Sequence, residues 1–351
     1  MINVLMCGSA LSVKGGMVSV VKNYLNYKNW GDIKVDYIPT HIEKNKYWLI
    51  LYFGLKYLYI VFNAMIGKYQ IVHLHTAERG SFYRKAFLVK ILHHLRVKTI
   101  MHHHAAEFEL FYASLSEDKK RYVNSILELV DMNIVLSKRL IPMIKEKAPK
   151  ANVEVLYNAV NTYLKNPYNI QAKNILFLGR LGERKGVYDL LNVVQRLDSQ
   201  IDMEYKFYLC GDGDINGVKK RVDELHIAHR IAYIGWIDGE MKKEILANTL
   251  INVLPSYYEG LPMTILETMA YGIPNIRTNI ASIPEVLHDG ENAFLITPGD
   301  VELLALHIKQ LVENDEMRRL FSEKSYRLIS ENFSLNYNIE QLKGIYVKLL
   351  Q

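Results

Sequence analysis

Short apolar runs alternate with longer amphipathic runs along nearly the whole chain, and this alternation restricts the fold more than any other feature. The first series predicts strands at residues 2–7, 34–38, 71–75, 98–102, 131–136 and 153–156. The second series predicts strands at residues 174–179, 205–210, 231–234, 250–254, 274–277 and 293–296. Strands separated by helices pair in parallel through right-handed crossovers. The sequence therefore predicts two doubly wound α/β domains, residues 1–165 and 166–332, followed by a helical segment at 333–351.

Composition and charge suit two folded domains of opposite charge. The 351 residues are 50% hydrophobic with a net charge of +6, which excludes intrinsic disorder. Residues 1–165 hold 23 basic and 12 acidic side chains, and residues 166–351 hold the remaining 20 and 25. A basic half favours an anionic partner such as a lipid surface, a phosphorylated acceptor or nucleic acid. A lysine-rich half that is merely well solvated is the alternative.

Two further features bear on location. Cys7 and Cys210 are too few for a disulfide framework, and residues 1–6 read as a strand rather than a signal peptide, so we expect a cytoplasmic protein. Residues 47–66 form an apolar segment with Lys56 at its centre. Lysine at mid-bilayer costs about 2.5–3.5 kcal/mol, and tyrosine favours the membrane boundary. We therefore expect a helix that packs on a sheet and touches lipid on one face, rather than a membrane span.

Residues that follow the strands are the candidates for chemistry, because doubly wound domains bind ligands beyond the carboxyl ends of their strands. Gly15 and Gly16 open the first helix, where glycine leaves room for a phosphate against backbone N–H groups; a plain glycine turn is the alternative. His102, His103 and His104 end the fourth strand. Adjacent strand residues point to opposite faces, so the three cannot share one metal, and His104 is the candidate for ligand contact.

The second domain offers charged residues in two loops. Arg180 and Lys185 lie in a glycine-punctuated loop after a strand, and their pattern favours a clamp for a diphosphate. Asp212 and Asp214 flank Gly213 as in a DxD metal motif, but the glycines make a tight turn the simpler interpretation.

The segment from Pro255 to Glu267 is the strongest signal. Pro262 suits the first turn of a helix, which places Glu259 at the helix mouth and Glu267 within the helix. Free N–H groups around residues 263–265 are suited to a phosphate, and Glu267 to the two hydroxyls of a ribose. The pattern favours a hydroxyl-rich anionic substrate.

Taken together in this order, these segments resemble the retaining glycosyltransferases of family 4, within the group 1 glycosyl transferases. The resemblance implies the GT-B fold, in which two Rossmann-like domains face a cleft and the C-terminal helix crosses back to the first domain. One departure is Ala105, where the family often has glycine. The matching segments are Gly15-Gly16, His104 to Phe108, Asn158 to Asn161, Gly179-Arg180-Leu181, Lys185-Gly186, Gly211 to Gly213, Glu259 with Glu267, Gly272 to Pro274, and Ile283 to Glu285.

The resemblance also implies roles for residues. Arg180 and Lys185 hold the diphosphate, Glu267 the ribose, and Glu259 and His104 the transferred sugar. His104, Glu259, Arg180 and Lys185 are the catalytic candidates. Contacts with the nucleotide sugar are expected from Gly15, Gly16, Arg180, Lys185, Gly211, Trp236, Gly260, Leu261, Met263, Thr264 and Glu267.

The expected function is transfer of a hexose or N-acetylhexosamine, with retention, from a nucleotide sugar to a saccharide. UDP is favoured on family frequency, no metal or cofactor is expected, and the acceptor is expected to be lipid-linked, in surface polysaccharide synthesis. The alternatives are a nucleotide-sugar epimerase of the same fold and a non-catalytic subunit that binds sugar nucleotides. A dehydrogenase is disfavoured because no GxGxxG follows the first strand. Nucleic-acid binding has only the basic half in its favour.

Overall fold

The structure is a computed structural model that describes residues 1–13, 15–104 and 108–351. It divides into two compact units. Unit 1 comprises Met1–Ala159 and Leu335–Gln351, and unit 2 comprises Val160–Ser334. The sequence predicts boundaries after residues 165 and 332, so in the structure the first boundary lies six residues earlier and the second two residues later. Lys14 and residues 105–107, which include the Ala105 departure, lie outside the described residues.

Unit 1 is built on six parallel strands, β1 (Ile2–Ser9), β2 (Ile33–His41), β3 (Ile71–Thr76), β4 (Lys98–His103), β5 (Met132–Val135) and β6 (Val153–Val155). Their order in the sheet is β2-β1-β3-β4-β5-β6. The helices of this unit are α1 (Gly16–Asn26), α2 (Lys46–Met65), α3 (Gly80–His94), α4 (Phe108–Ala113), α5 (Glu117–Leu129) and α6 (Leu140–Lys145).

Unit 2 repeats the design with β7 (Asn174–Leu178), β8 (Lys206–Cys210), β9 (Ile231–Gly235), β10 (Thr249–Leu254), β11 (Asn275–Thr278) and β12 (Ala293–Ile296). The sheet order is β12-β11-β10-β7-β8-β9, again parallel. Its helices are α7 (Val187–Leu197), α8 (Ile215–Glu224), α9 (Gly239–Ala247), α10 (Met263–Ala270), α11 (Val301–Glu313) and α12 (Asp315–Asn332). The last helix of the chain, α13 (Leu335–Leu350), belongs to unit 1. The predicted α/β class is confirmed.

Each unit has its own apolar core between sheet and helices. In unit 2, α7 buries Leu190, Leu191 and Val194 against Phe177 and Phe207 of the strands. The helix is amphipathic at the 3.6-residue period, so its apolar stripe faces the sheet and its polar face remains in water. This packing fixes the strand ends, and with them the loops that carry the candidate residues.

Helix α2 has an unusually exposed apolar surface. Only Ile60, Asn63 and Ala64 are buried, while Phe53 and Tyr57 pack partly against the core. The predicted helix with one face on the domain is confirmed. With 20 residues, most of them apolar, α2 is long and apolar enough to cross a membrane by length and composition. Most of its apolar face therefore has no packing partner within the described structure.

Candidate functional site

Strand order in unit 2 reverses between β7 and β10. β8 and β9 extend the sheet on one side of this pair, and β11 and β12 extend it on the other. Ligands of open parallel sheets bind outside the carboxyl ends of the strands at such a switch point. The loop after β7 carries Arg180 and Lys185, and the loop after β10 carries Glu259. The topology thus brings together residues that are 74 positions apart in the sequence.

Lys185 and Glu259 form a buried ion pair at this point. Lys185 Nζ lies 2.6 Å from Glu259 Oε1, and Ser256 Oγ donates to the same oxygen at 2.7 Å. The side chains of Lys185 and Glu259 are only 13% and 5% exposed. Burial lowers the pKa of Lys185, while the carboxylate of Glu259 acts in the opposite direction. Because both charges are paired and largely out of water, their positions are well defined.

Backbone contacts hold the two loops together. Gly186 has a φ of +71°, and a Cβ atom there would lie 2.1 Å from the carbonyl oxygen of Pro255. The amide of Tyr257 donates to the carbonyl oxygen of Arg184 at 2.9 Å. Only glycine permits this approach, so Gly186 is required for the Lys185–Glu259 geometry. Arg180, the other half of the predicted clamp, has an exposed side chain on the same loop.

Gly211 and the Asp-Gly-Asp turn have a structural explanation. A Cβ at Gly211 would lie 1.8 Å from the carbonyl oxygen of Gly179, so the β7 and β8 loops touch through backbone here. Gly213 has a φ of +110°, and Asp214 caps α8 by accepting from the amide of Gly217 at 2.9 Å. The predicted tight turn is confirmed.

The amino end of α10 presents backbone amides beside this pair of loops. Met263 begins the helix, and the amide of Ile265 donates to the carbonyl oxygen of Pro262 at 3.1 Å. Of the free N–H groups predicted around residues 263–265, the one of Ile265 is therefore already engaged. Thr264 Oγ1 is buried without a hydrogen-bond partner in the described part of the chain. Leu261 is buried beside Gly260.

Glu267 is held by a lysine that sequence reasoning missed. Lys242 Nζ, on α9, lies 2.8 Å from Glu267 Oε1, and the two side chains are 29% and 20% exposed. This contact crosses 25 residues, and no local spacing signals it. Trp236 lies at the end of β9 with a half-exposed indole, whose Nε1 donates to Asp238 at 3.3 Å.

Arg277 is a second residue that the sequence analysis did not single out as a site. It is fully buried in β11 and donates to the side-chain oxygens of Asn252 and Asn275. Burial lowers its pKa to about 9, and the nearby carboxylate of Glu259 opposes that shift. No sequence signal marks this residue, because β11 reads Asn275-Ile276-Arg277-Thr278 and the arginine stands among other polar residues. Arg277 adds positive charge behind the Lys185–Glu259 pair.

In unit 1, helix α1 begins at Gly16. Gly15 immediately before it has a φ of +146°, a conformation that side chains rarely adopt. Both glycines are exposed, and neither the cap residue nor the first turn of α1 supplies a side-chain cap or an acidic group. No acidic side chain of the first turn of α1 therefore competes with a phosphate for the backbone amides at this end, as the predicted phosphate site requires.

Near the ends of β3 and β4, the rings of His73, His75, His102 and His104 meet on one side of the sheet, and His103 lies on the other. His102 and His104 face the same side, with ring centroids 4.3 Å apart, while His103 bonds Asn133 Oδ1 at 3.0 Å. The expected alternation of faces is confirmed, and His104 is the partly exposed member of the triplet. The rings of His73 and His75, from β3, stack on each other and lie on the same side as His102.

Three of these residues offer nitrogen atoms to a common point. Ligand atoms of His73, His75 and His102 lie within 4.8 Å of one another. Tetrahedral zinc with Zn–N bonds of about 2.0–2.1 Å brings ligand nitrogens to about 3.4 Å, and His73 Nε2 and His102 Nδ1 lie 3.2 Å apart, within hydrogen-bond distance. The positive side chain of Lys85 also acts on His75, which disfavours a cation there. His73 and His102 therefore form a hydrogen-bonded pair, with the His75 ring beside it.

Two units that are each built on a doubly wound parallel sheet, one with a paired charge at its switch point, have the architecture of GT-B glycosyltransferases. Among solved structures, Anabaena HepE in complex with UDP matches with a TM-score of 0.77 over 99% of this chain and 100% of that chain, at 15% identity. Residues 164–328 match the family model of glycosyl transferases group 1. This segment belongs to that family, and the chain is a glycosyltransferase.

Two relatives illustrate the similarity. An uncharacterised 41.2 kDa protein of the cps region of Klebsiella pneumoniae is 26% identical over 347 residues, which cover 91% of this chain and 94% of that protein. O-antigen chain mannosyltransferase B of Escherichia coli is 30% identical over 149 residues, which cover 41% of this chain and 38% of that protein.

Proposed function

We propose that this glycosyltransferase moves a hexose or N-acetylhexosamine, with retention, from a UDP-sugar to a lipid-linked saccharide during surface polysaccharide synthesis. The observation that carries the proposal is the buried Lys185–Glu259 pair at the switch point of unit 2, next to the amino end of α10. The cps-region and O-antigen relatives support the pathway. The UDP complex of HepE supports the donor.

The diphosphate of the donor is the group that Lys185 suits. Breaking the sugar–phosphate bond builds negative charge on the diphosphate, and a fixed ammonium group stabilises that charge without reorganisation. Glu259 keeps the ammonium in place before the donor binds, since the two groups are 2.6 Å apart. The amides at the start of α10 add a positive partial charge on the same side. Arg180, exposed on the same loop, is the second basic contact of the proposal.

The nucleoside end of the donor suits Glu267. Its Oε1 is engaged by Lys242, which leaves the other carboxylate oxygen for hydroxyl groups. A carboxylate oxygen accepts hydrogen bonds from both hydroxyls of a ribose when its own position is fixed. The exposed indole of Trp236 then lies at the strand end expected to face the base.

The transfer step needs no metal in this proposal, because lysine, arginine and helix amides supply the positive charge that the leaving diphosphate requires. Positive charge develops on the sugar ring, where the carboxylate of Glu259 counters it. The acceptor hydroxyl attacks from the face on which the diphosphate departs and gives its proton to the leaving phosphate. The C1–O bond to phosphate breaks, the C1–O bond to the acceptor forms, and the configuration is retained.

Calorimetric titration with UDP and with GDP, in excess EDTA, tests the nucleotide site. We expect UDP to bind in the micromolar range and Glu267→Ala to remove that binding. Glu240→Ala is the matched control, because Glu240 is an exposed carboxylate paired with a lysine on α9. Binding of neither nucleotide would refute the donor assignment, whereas UDP binding without any sugar transfer would favour the non-catalytic subunit. Conversion of the donor sugar without an acceptor would favour the epimerase.

The acceptor side of the proposal rests on α2. Its exposed apolar side chains include Leu51, Leu55 and Leu58, which are 54%, 60% and 65% exposed and share one face. Lys44 and Lys46 lie exposed at its amino end, and Lys68 lies exposed just beyond its carboxyl end. Apolar residues with flanking lysines suit the surface of an anionic bilayer, where a helix lies in the interface plane. We propose that α2 holds the enzyme at the cytoplasmic membrane face.

Co-sedimentation with vesicles tests this surface. We expect binding to vesicles that contain phosphatidylglycerol and weaker binding to pure phosphatidylcholine, with salt reducing the first. The double variant Leu51→Glu/Leu58→Glu should lose binding. Leu306→Glu/Leu320→Glu is the control, since both leucines are similarly exposed on unit 2. Equal binding by the two variants would contradict the assignment to α2.

A further inference from the structure

His104 is hydrogen-bonded to a neighbour that nothing in the family resemblance singles out. His75 Nδ1 lies 2.9 Å from His104 Nε2, and the two rings stack with centroids 5.1 Å apart. His75 is fully buried, whereas His104 is partly exposed. One nitrogen of His104 is thus committed to the protein interior, and Nδ1 is the nitrogen left for a ligand.

The hydrogen on this N···N contact has two possible positions. If His104 donates from Nε2, then His75 accepts at Nδ1 and carries its own hydrogen on Nε2. That nitrogen is buried and has no partner among the described residues. If His75 donates from Nδ1 instead, its Nε2 is a bare lone pair. Buried N–H groups without an acceptor are rarer than under-used acceptors, so the second arrangement is favoured.

We propose that His75 is a positioning residue that donates from Nδ1 to Nε2 of His104, which forces His104 to carry its hydrogen on Nδ1. His104 then presents a fixed N–H donor to a hydroxyl of the transferred sugar. This contact with the sugar rests on the proposed function. The tautomer itself rests only on the geometry of the two histidines.

The surroundings keep both rings neutral. Burial lowers the pKa of His104 to about 3 and the pKa of His75 well below its usual range. The groups that act on His75 are His73, His104 and Lys85, and positive charge on any of them opposes its protonation. A neutral His104 has one N–H to give, so its partner decides the direction in which it donates.

Nitrogen NMR of the full-length protein with ¹⁵N-labelled histidine tests the tautomer directly. We expect the His104 signals, assigned by their loss in His104→Gln, to show a protonated Nδ1 and a bare Nε2. In His75→Leu the donor is gone, and we expect the His104 signals to shift towards the Nε2-protonated form. A protonated Nε2 on His104 in the unaltered protein would overturn the proposal, whether or not the enzyme is active.

Kinetics test the consequence for transfer. We expect His75→Leu to lower kcat about tenfold with little change in the donor KM, because a misdirected donor loses a transition-state hydrogen bond. His75→Asn retains an N–H group near the Nδ1 position and should restore most of kcat. His103→Leu is the matched control, since His103 is equally buried on the opposite face.

The outcomes separate the two levels of the proposal. Equal loss of kcat in His75→Leu and His103→Leu, in step with their unfolding temperatures, would show a structural role and overturn the positioning role. A normal His104→Gln enzyme would refute the sugar contact of the proposed function while leaving the NMR result as an independent measurement of the tautomer.

Discussion

The two units place opposite kinds of polar residues at the ends of similar parallel strands. Unit 2 buries formal charges, with Lys185 paired to Glu259 and Arg277 behind them. Unit 1 buries imidazoles that remain neutral, such as His73 and His75. A buried charge needs a partner of opposite sign, whereas a neutral imidazole needs only hydrogen bonds. The comparison shows that one fold supports a site for a polyanion in one unit and a directional hydrogen-bond network in the other.

Acidification is the change expected to separate the units most. His73 and His104 have pKa values of about 3 when folded, against about 6.5 when unfolded, so the unfolded chain binds more protons between these values. The stability that depends on these neutral histidines is therefore fully present above about pH 6.5. Below that pH the free energy of unfolding falls, by up to about 1.4 kcal/mol per pH unit for each histidine. Burial lowers the pKa of Lys85 to about 7. As the pH falls, the loss of stability from charging this buried lysine therefore develops above about pH 7, and it changes little as the histidines titrate.

Urea unfolding followed by tryptophan fluorescence measures this difference. Trp30 is buried in unit 1, and Trp236 lies in unit 2. The variants Trp48→Phe/Trp236→Phe and Trp30→Phe/Trp48→Phe each retain a single reporter. We expect the Trp30 midpoint to fall more than the Trp236 midpoint between about pH 7.5 and about pH 5. An unchanged Trp30 midpoint would show that the histidines do not depend on being neutral.

Removing the ammonium group of unit 2 is expected to have the next largest effect. Lys185→Ala should lower turnover at least about 100-fold, since one such contact with a developing anion contributes about 2.7–4 kcal/mol to the barrier. It also leaves Glu259 buried without its partner, so the unfolding temperature must be measured alongside turnover. Lys219→Ala removes an exposed lysine of α8 and serves as the control. Near-normal turnover in Lys185→Ala would refute the diphosphate contact.

The smallest expected effect concerns the orientation of Glu267. Lys242→Ala should weaken UDP binding several-fold, because a partly exposed ion pair contributes about 1 kcal/mol or less. Lys243→Ala is the matched control, as the next residue on α9 with an exposed carboxylate partner. Calorimetric titration of both variants with UDP measures the difference in affinity. Equal affinity in the two would mean that Glu267 holds its position without Lys242.

Fold class and strand positions were predictable because apolar period and helix length are local properties of the sequence. The alternation also placed Arg180, Glu259 and His104 after strand ends, where switch-point ligands bind. The roles of individual side chains were less accessible. Ile265 looked like a free amide donor until the helix start showed its bond to Pro262.

Long-range partners decided what local pattern left open. The His73-Leu74-His75 spacing put both imidazoles on one face, but only the register of β3 against β4 places His75 opposite His102. Lys242 and Arg277 likewise gain their significance from Glu267 and Glu259, which are distant in sequence. The partners of these two charges are known only once the strands and helices are packed.

The sequence by itself determined two doubly wound sheets, the glycines that let their loops approach, and the residue types at the strand ends. These follow from side-chain period, from backbone freedom at glycine and from burial of apolar area, all of which act over a few neighbouring residues. The tertiary structure alone decided which charges pair, which histidines meet and which of their nitrogens is left for a ligand. Those depend on distances of about 3 Å between segments tens of residues apart, where a hydrogen bond either forms or does not.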